Sequence, residues 1–415
     1  MTLRRLWPSY RGWRMVAALT ITEPVSWGVL YYAFSALIVP MQKELGWSLA
    51  ALTGGFSLAT LVAGLAAIPV GRWVDRHGGR GLMTLGSILG VLMVLAWSRV
   101  DSLPLFFAIW AGIGLAQAGT LYEPAFASVS QWFRRFRSRA WLLITITAGF
   151  ASTIFLPLTG FLSGRVGWRE SLVILAVLLG VVTIPLHALV LRRRPEDFGL
   201  SPDNEPQVLL PDGHAAPPLP PEGATMREAM HDPGFWWLAV AFWLATIVSI
   251  AAGVHFIPFL TERGESAGFA AAAAGAIGAA QVLARVVVTA LGGRLSLMTI
   301  TAGVFLLQAV SVVLMLVGGH PAIVLAVLLL GAGRGALTLI RADMMADRYG
   351  RAHFGAISGM LALWLVGARA LAPVGIGLLV TAAGGYDPVM WMLAFAGLLS
   401  ALALIPVRPV ARYGS

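Results

Sequence analysis

The chain is 415 residues long, 58% hydrophobic and only 12% charged, with a mean hydropathy of +0.81, which excludes both an ordinary soluble globular domain and a disordered chain. Its formal net charge of +10 would point to nucleic acid in a soluble protein, but in a chain this apolar it follows from orientation across a bilayer. Cysteine is absent, so disulfides and thiolate metal sites are excluded.

Apolar segments long enough to span recur at 13–40, 49–71, 82–98, 103–129, 140–163, 171–191, 235–260, 267–291, 297–318, 321–340, 354–382 and 389–407. They predict an all-α polytopic membrane protein of twelve transmembrane helices. The first segment follows a basic N-terminus but is too long for a signal-peptide core, so it reads as a span. Lys43, Arg99, Arg165, Arg169 and Arg263 fall in outer loops, and Arg285, Arg334, Arg341 and Arg369 within or at the ends of helices. The remaining Lys and Arg sit on the inner side, which predicts both termini in the cytoplasm and a bacterial cytoplasmic (inner) membrane.

In the first span Glu23, Trp27 and Tyr31 recur every four residues and share a helix face. Glu23 is either a proton acceptor or an acid close to the inner interface. After the second span comes Gly71-Arg72-Trp73-Val74-Asp75-Arg76-His77-Gly78-Gly79-Arg80. The glycines allow a tight turn and close helix approach, Asp75 can accept hydrogen bonds at a neighbouring helix N-terminus, and Arg76 can pair across an inner gate. Tyr122-Glu123-Pro124 is expected to interrupt the fourth helix and to place a second acid in the membrane, with Glu123 the stronger proton candidate. The basic stretch 131–139 reads as a cytoplasmic loop at headgroups or the inner gate.

From Arg192 to Pro233 the chain is rich in Pro, Asp and Glu, which predicts a cytoplasmic linker, flexible by composition. The expected division is an N-terminal bundle of six helices, 1–192, the linker 193–233, and a C-terminal bundle of six helices, 234–415. Intramembrane acids precede the linker; intramembrane arginines follow it.

In the second half His255 can titrate or pack at an interface. Gln281 and Arg285 stand one turn apart in an uncharged segment, where a guanidinium costs about 2.5–3.5 kcal/mol on insertion scales. Arg285 is read as the receptor of a substrate's anionic group, with Gln281 beside it, because its planar fork matches a carboxylate; a buried structural ion pair is the alternative. Gly331, Gly333 and Gly335 allow close packing around Arg334. Arg341 and Asp343 read as gate or interface charges. Arg369 is a second substrate contact, and Tyr31 and Tyr122 complete that set.

The loop 71–80, at the junction of the second and third spans, resembles the signature loop of the major facilitator superfamily. The resemblance covers the whole chain and implies two six-helix bundles, transport by alternating access, and a gating role for Gly71, Asp75, Arg76, Gly78 and Arg80. More narrowly, Arg285, the tail Arg192-Arg-Arg-Pro-Glu-Asp-Phe-Gly-Leu200 and Tyr10-Arg-Gly-Trp13 are similar to bacterial relatives of the monocarboxylate transporters and the oxalate–formate antiporter. In that group the eighth-helix arginine engages the substrate carboxylate, and Arg285 is its match. The antiporter has a cation on its eleventh helix, and Arg369 can play that part. Gln281 stands where animal carriers have an aspartate, and their first-helix lysine has no match here.

The expected function is secondary active transport of small organic anions, by proton symport or anion exchange. Export of amphipathic compounds and a transport-incompetent membrane sensor are the alternatives. The absence of a Gly-x-x-x-x-Gly-Lys loop disfavours ATP-driven transport, and no enzyme activity or cofactor is expected. The expected partners are a small organic anion, protons and membrane lipid, without nucleic acid, and the expected working unit is a monomer.

Overall fold

The computed structural model describes residues 10–205, 223–265, 267–291 and 294–407. Among these, nine helical stretches are long and apolar enough to cross a membrane. Three shorter apolar helices, Ala276–Leu291, Phe354–Arg369 and Tyr386–Leu402, stand where the eighth, eleventh and twelfth spans are expected.

Two of the early spans are broken, for local reasons. In the first, α1 (Arg11–Trp27) carries Pro24 and runs into a π turn, Gly28–Tyr32, before α2 (Ala33–Leu45). The Gln117 amide donates to the Leu30 carbonyl inside that turn at 2.8 Å, holding the bulge from a neighbouring helix. In the fourth, α5 (Leu103–Thr120) and α6 (Tyr122–Trp132) are separated by Leu121 in extended conformation, so the interruption expected at Tyr122 to Pro124 falls one residue earlier. Pro124 then sits in the first turn of α6, where no helical hydrogen bond is lost.

The first half continues through α3 (Leu49–His77), α4 (Gly79–Trp97), α7 (Arg137–Gly149), α8 (Ala151–Val166) and α9 (Trp168–Val190). The second half has α10 (Met226–His231), α11 (Pro233–Val254), α12 (Phe256–Glu262), α13 (Ala267–Leu291), α14 (Leu297–Val317), α15 (His320–Tyr349), α16 (Phe354–Ala383) and α17 (Tyr386–Leu402). Side-chain caps start several of them: Ser48 on α3, Ser296 on α14, and a capping box of Thr225 and Glu228 on α10.

The chain divides into two compact units, one through Gly223 with Gly350–Met360 added, the other Ala224–Tyr349 with the chain from Leu361 onward. In the first, Phe34, Trp97, Phe106 and Trp110 fill the core edge to face, and Arg169 ties three segments together. Its guanidinium donates to Glu44, Asp101 and the carbonyls of Ser98 and Val100. Of the expected linker, residues 206–222 lie outside the described residues, while 193–205 fold onto the first unit. Asp203 accepts from the backbone N–H groups of Arg134, Arg135 and Phe136, and Tyr10 donates to the Trp132 carbonyl at 2.7 Å. The basic loop is thus pinned by an acid from the tail.

The second unit has a core around Phe256, Phe259, Ile277, Met315 and Leu330. The backbones of α13 and α15 approach closely, and a Cβ at Gly335 would fall 2.2 Å from the Gln281 carbonyl oxygen. Only glycine admits that approach. At its beginning Asp232 caps α11 through the Gly234 N–H, and accepts from Arg348 at 2.7 Å and the Tyr349 hydroxyl at 2.6 Å.

Burial pushes the Asp232 carboxyl up, but the hydrogen bonds from Arg348, Tyr349 and Gly234 outweigh it and hold the group below the usual carboxylate range. A depressed folded-state value means that the stabilisation is complete above the unfolded value near ~3.9 and fades as pH falls through the folded one. Asp232→Asn is therefore expected to lower the thermal midpoint at neutral pH and to flatten its decline on acidification. Parallel pH-midpoint curves for the two proteins would contradict the assignment.

Candidate functional site

The second unit has a half-open cavity of about 160 Å³ between α11, α13, α15 and α16. Its walls carry Thr246 and Ser249 from α11, Gln281 from α13, Arg334, Thr338 and Arg341 from α15, and Arg369 from α16. Phe242, Ile250, Leu337 and Leu365 supply the apolar remainder. Among the described residues no carboxylate lines it. The local reasons are helical: Arg334, Thr338 and Arg341 recur at spacings of four and three along one face of α15, and the glycine seam draws α13 close enough for Gln281 to join them. Room for the Arg334 guanidinium is made by Gly253, where a Cβ would meet its Nη1 at 2.3 Å.

The arrangement separates the sequence candidates. Gln281 and Arg369 come together here, and Arg334 and Arg341 join them, although Arg341 was expected as a gate or interface charge. Arg285 is not among the lining residues: it is 8% exposed, and its Nε donates to the Gly335 carbonyl at 3.3 Å, bridging α13 to α15. Leu283, Val286 and Val287 are exposed on other faces of α13. His255 lies at the break between α11 and α12, with Nδ1 3.0 Å from the Tyr386 hydroxyl.

In the first unit the π turn gathers aromatic rings. Trp27 packs on Tyr31 and Tyr122 with centroids 5.2 and 5.0 Å apart, and Tyr31 on Tyr32 and Phe56. Glu23, one turn before Trp27, is fully buried, and neither carboxyl oxygen makes a hydrogen bond of ordinary geometry with a described residue. Glu123 stands half-buried in the first turn of α6. Next to Glu23, Thr22 leads to a residue that sequence reasoning missed, His187 of α9. Its Nε2 lies 3.0 Å from the Thr22 hydroxyl, and its Nδ1 lies 2.9 Å from Ser87 Oγ and 3.2 Å from the Met83 carbonyl. A carbonyl only accepts, so Nδ1 carries the hydrogen and, in the neutral ring, Nε2 accepts from Thr22. A lone histidine in an apolar run gives no pattern by which to find it.

The loop 71–80 is also in the first unit, with residues 350–360. Asp75 is buried, and its two oxygens accept from the N–H groups of Gly355 and Ala356 at 2.9 Å each, capping the first turn of α16. Gly71 permits this, since a Cβ there would fall 2.0 Å from the Gly355 carbonyl oxygen; Gly78 turns the chain at φ +79. Arg76 and Arg80 are exposed. Around the same corner Gln131 and Arg351 exchange hydrogen bonds with each other's carbonyls, and Arg351 pairs with Glu196 at 2.9 Å.

First-turn amides of a helix have no partner within it, so Asp75 is what protects Gly355 and Ala356. Asp75→Asn is expected to speed hydrogen exchange at those two amides by on the order of tenfold, the loss of one hydrogen bond. Unchanged exchange there would show that the cap holds nothing in place.

The Oxalate:formate antiporter of Oxalobacter formigenes is 24% identical over 240 residues, 57% of this chain and 53% of that protein. Human Monocarboxylate transporter 11 is 28% identical over 294 residues, 68% of this chain and 55% of that protein. The chain thus spans little more than half the length of these curated relatives. In fold, it matches the E. coli fucose:proton symporter FucP with a TM-score of 0.71 over 95% of this chain and 98% of that one, at 14% identity. The profile described as Major Facilitator Superfamily matches residues 25–360, and the chain is a multi-pass membrane protein belonging to that superfamily.

Proposed function

We propose that this protein is a secondary transporter of small organic anions, mono- or dicarboxylates, working by alternating access through proton symport or anion exchange. The observation that carries the reading is the cavity of the second unit, where three guanidinium groups and an amide gather and, among the described residues, no carboxylate joins the lining. Such a wall suits an anion, whereas a cationic drug would meet like charge. The relatives named as an oxalate:formate antiporter and a monocarboxylate transporter support the same substrate class. Arg369 and Arg334 keep their charge when desolvated and offer planar forks to a carboxylate, with Gln281 as a further donor. Arg285 acts behind them as a positioning residue, holding α13 to α15 through the Gly335 carbonyl.

In the first unit Glu23 is assigned the coupling proton. A carboxyl sealed from water without a hydrogen bond of ordinary geometry is expensive to keep ionised, and such intramembrane groups mark ion pathways. Glu123 and His255 are the other candidates. Tyr31 and Tyr122, whose rings pack on Trp27, are the first unit's own candidates for contact with a substrate. Asp75 and Gly71, with Arg76, Gly78 and Arg80, hold and release the inner end. The bias of Lys and Arg supports both termini inside, likeness to a protein of Oxalobacter formigenes supports a bacterial cytoplasmic membrane, and the monomer is the working unit.

In proteoliposomes Arg369→Ala is expected to lower uptake of lactate and of succinate by about tenfold or more, the effect of removing one partner of a buried charge pair. Undiminished uptake of both anions by that variant would overturn the reading. Glu23→Gln is expected to retain exchange of anion between the two sides but to lose accumulation driven by an inward proton gradient. Accumulation equal to that of the unmodified protein would take the coupling proton away from Glu23.

A further inference from the structure

The arginines of the second unit's cavity are carried at two levels along α15 and α16, with two leucines and a threonine between them. Arg334 lies fifteen residues before the end of α15 and Arg369 fifteen after the start of α16. These helices are consecutive and joined by a turn of four residues, Gly350–His353, so the two arginines stand at one level. Gln281 belongs to that level through the contact of its backbone with Gly335. Arg341 lines the same cavity two turns along α15, about 10 Å nearer the turn. Between the levels the walls are Leu337, Leu365 and the Thr338 side chain. The part of the space lined by these helices is about 160 Å³, enough to hold a short carbon chain between the two levels.

We infer that this cavity selects dicarboxylates whose two carboxylates are separated by a short aliphatic chain. One carboxylate is taken by Arg334, Arg369 and Gln281, the other by Arg341. Arg341 is the specificity-determining residue, because only a ligand with a second anionic end reaches it. Oxalate, with no methylene between its carboxylates, cannot bridge two helical turns; succinate places two methylenes against Leu337 and Leu365. A monocarboxylate of the same length, butyrate, occupies the first level alone and leaves Arg341 to its neighbours in the protein. The inference rests on the proposal that this cavity binds organic anions and adds to it which anions are preferred and why.

The test is ligand-induced thermal stabilisation of the purified full chain, titrated with oxalate, succinate, glutarate and butyrate, with each apparent Kd read from the shift. Succinate or glutarate is expected to bind more tightly than both oxalate and butyrate. Arg341→Gln is expected to weaken succinate by about tenfold or more and to change butyrate by less than about twofold. Arg341→Lys, which keeps a cation at that level, should retain part of the preference for succinate, and the ligand-free midpoints show whether each variant folds. Oxalate binding as tightly as succinate to the unmodified protein would overturn the inference without any variant. So would equal losses of succinate and butyrate in a folded Arg341→Gln. If none of the four anions stabilises the unmodified protein, the anion-transport proposal itself fails, which is a different outcome from losing the length selection.

Discussion

A guanidinium inside a membrane-spanning bundle has to be answered by oxygen, and the second unit is organised by that requirement. Arg285 is answered by the Gly335 backbone, which is within reach only because glycines let α13 and α15 close on each other. Arg334 fits only because Gly253 leaves space on α11. Arg334, Arg341 and Arg369 turn toward one small cavity, and no carboxylate shares its wall among the described residues. Such buried charges carry a desolvation penalty of several kcal/mol per ion, and a carboxylated ligand entering that cavity would meet complementary charge. Substrate class, on this view, follows from helix packing.

The first unit solves a different problem with different chemistry. Its charges sit mostly at its ends, where Arg169 and Asp203 fasten loops to carbonyls and amides, and Asp75 closes on the first turn of α16. Asp75 is the more consequential of these contacts, because a carboxylate at a helix N-terminus joins complementary charge to otherwise unsatisfied N–H groups. The interior is left to aromatic rings, to the hydrogen-bonded His187, and to Glu23. The division of acids and arginines between the two halves is therefore a division of labour. One half carries rings and a buried acid, the other the arginines that line a cavity.

Much of this was legible in the sequence where the signal was local. Hydropathy located the spans, the glycines and acid of 71–80 foretold a carboxylate at a helix N-terminus, and Pro124 marked the broken fourth helix. Intramembrane arginines were visible as a set. Which of them face a cavity was not, because that depends on the rotation of α13 and α15 against two other helices, a tertiary quantity with no period in the chain. Arg285 was the more conspicuous residue, deep in an uncharged run, yet the glycine seam turns it to the backbone of α15. Arg341, near two acids in sequence, read as a gate or interface charge but lines the cavity. Asp203 lay in a segment whose composition suggests flexibility, and its role came from three amides of a loop nearly seventy residues away.

The central claim is that the arginine-lined cavity of the second unit is where the transported anion sits. A structure of the protein determined in the presence of saturating succinate tests this most directly. The account predicts ligand density inside the cavity, with one carboxylate within hydrogen-bond distance of Arg334 or Arg369 and the other at Arg341. Clear succinate density elsewhere in the protein, with this cavity unfilled, would contradict it.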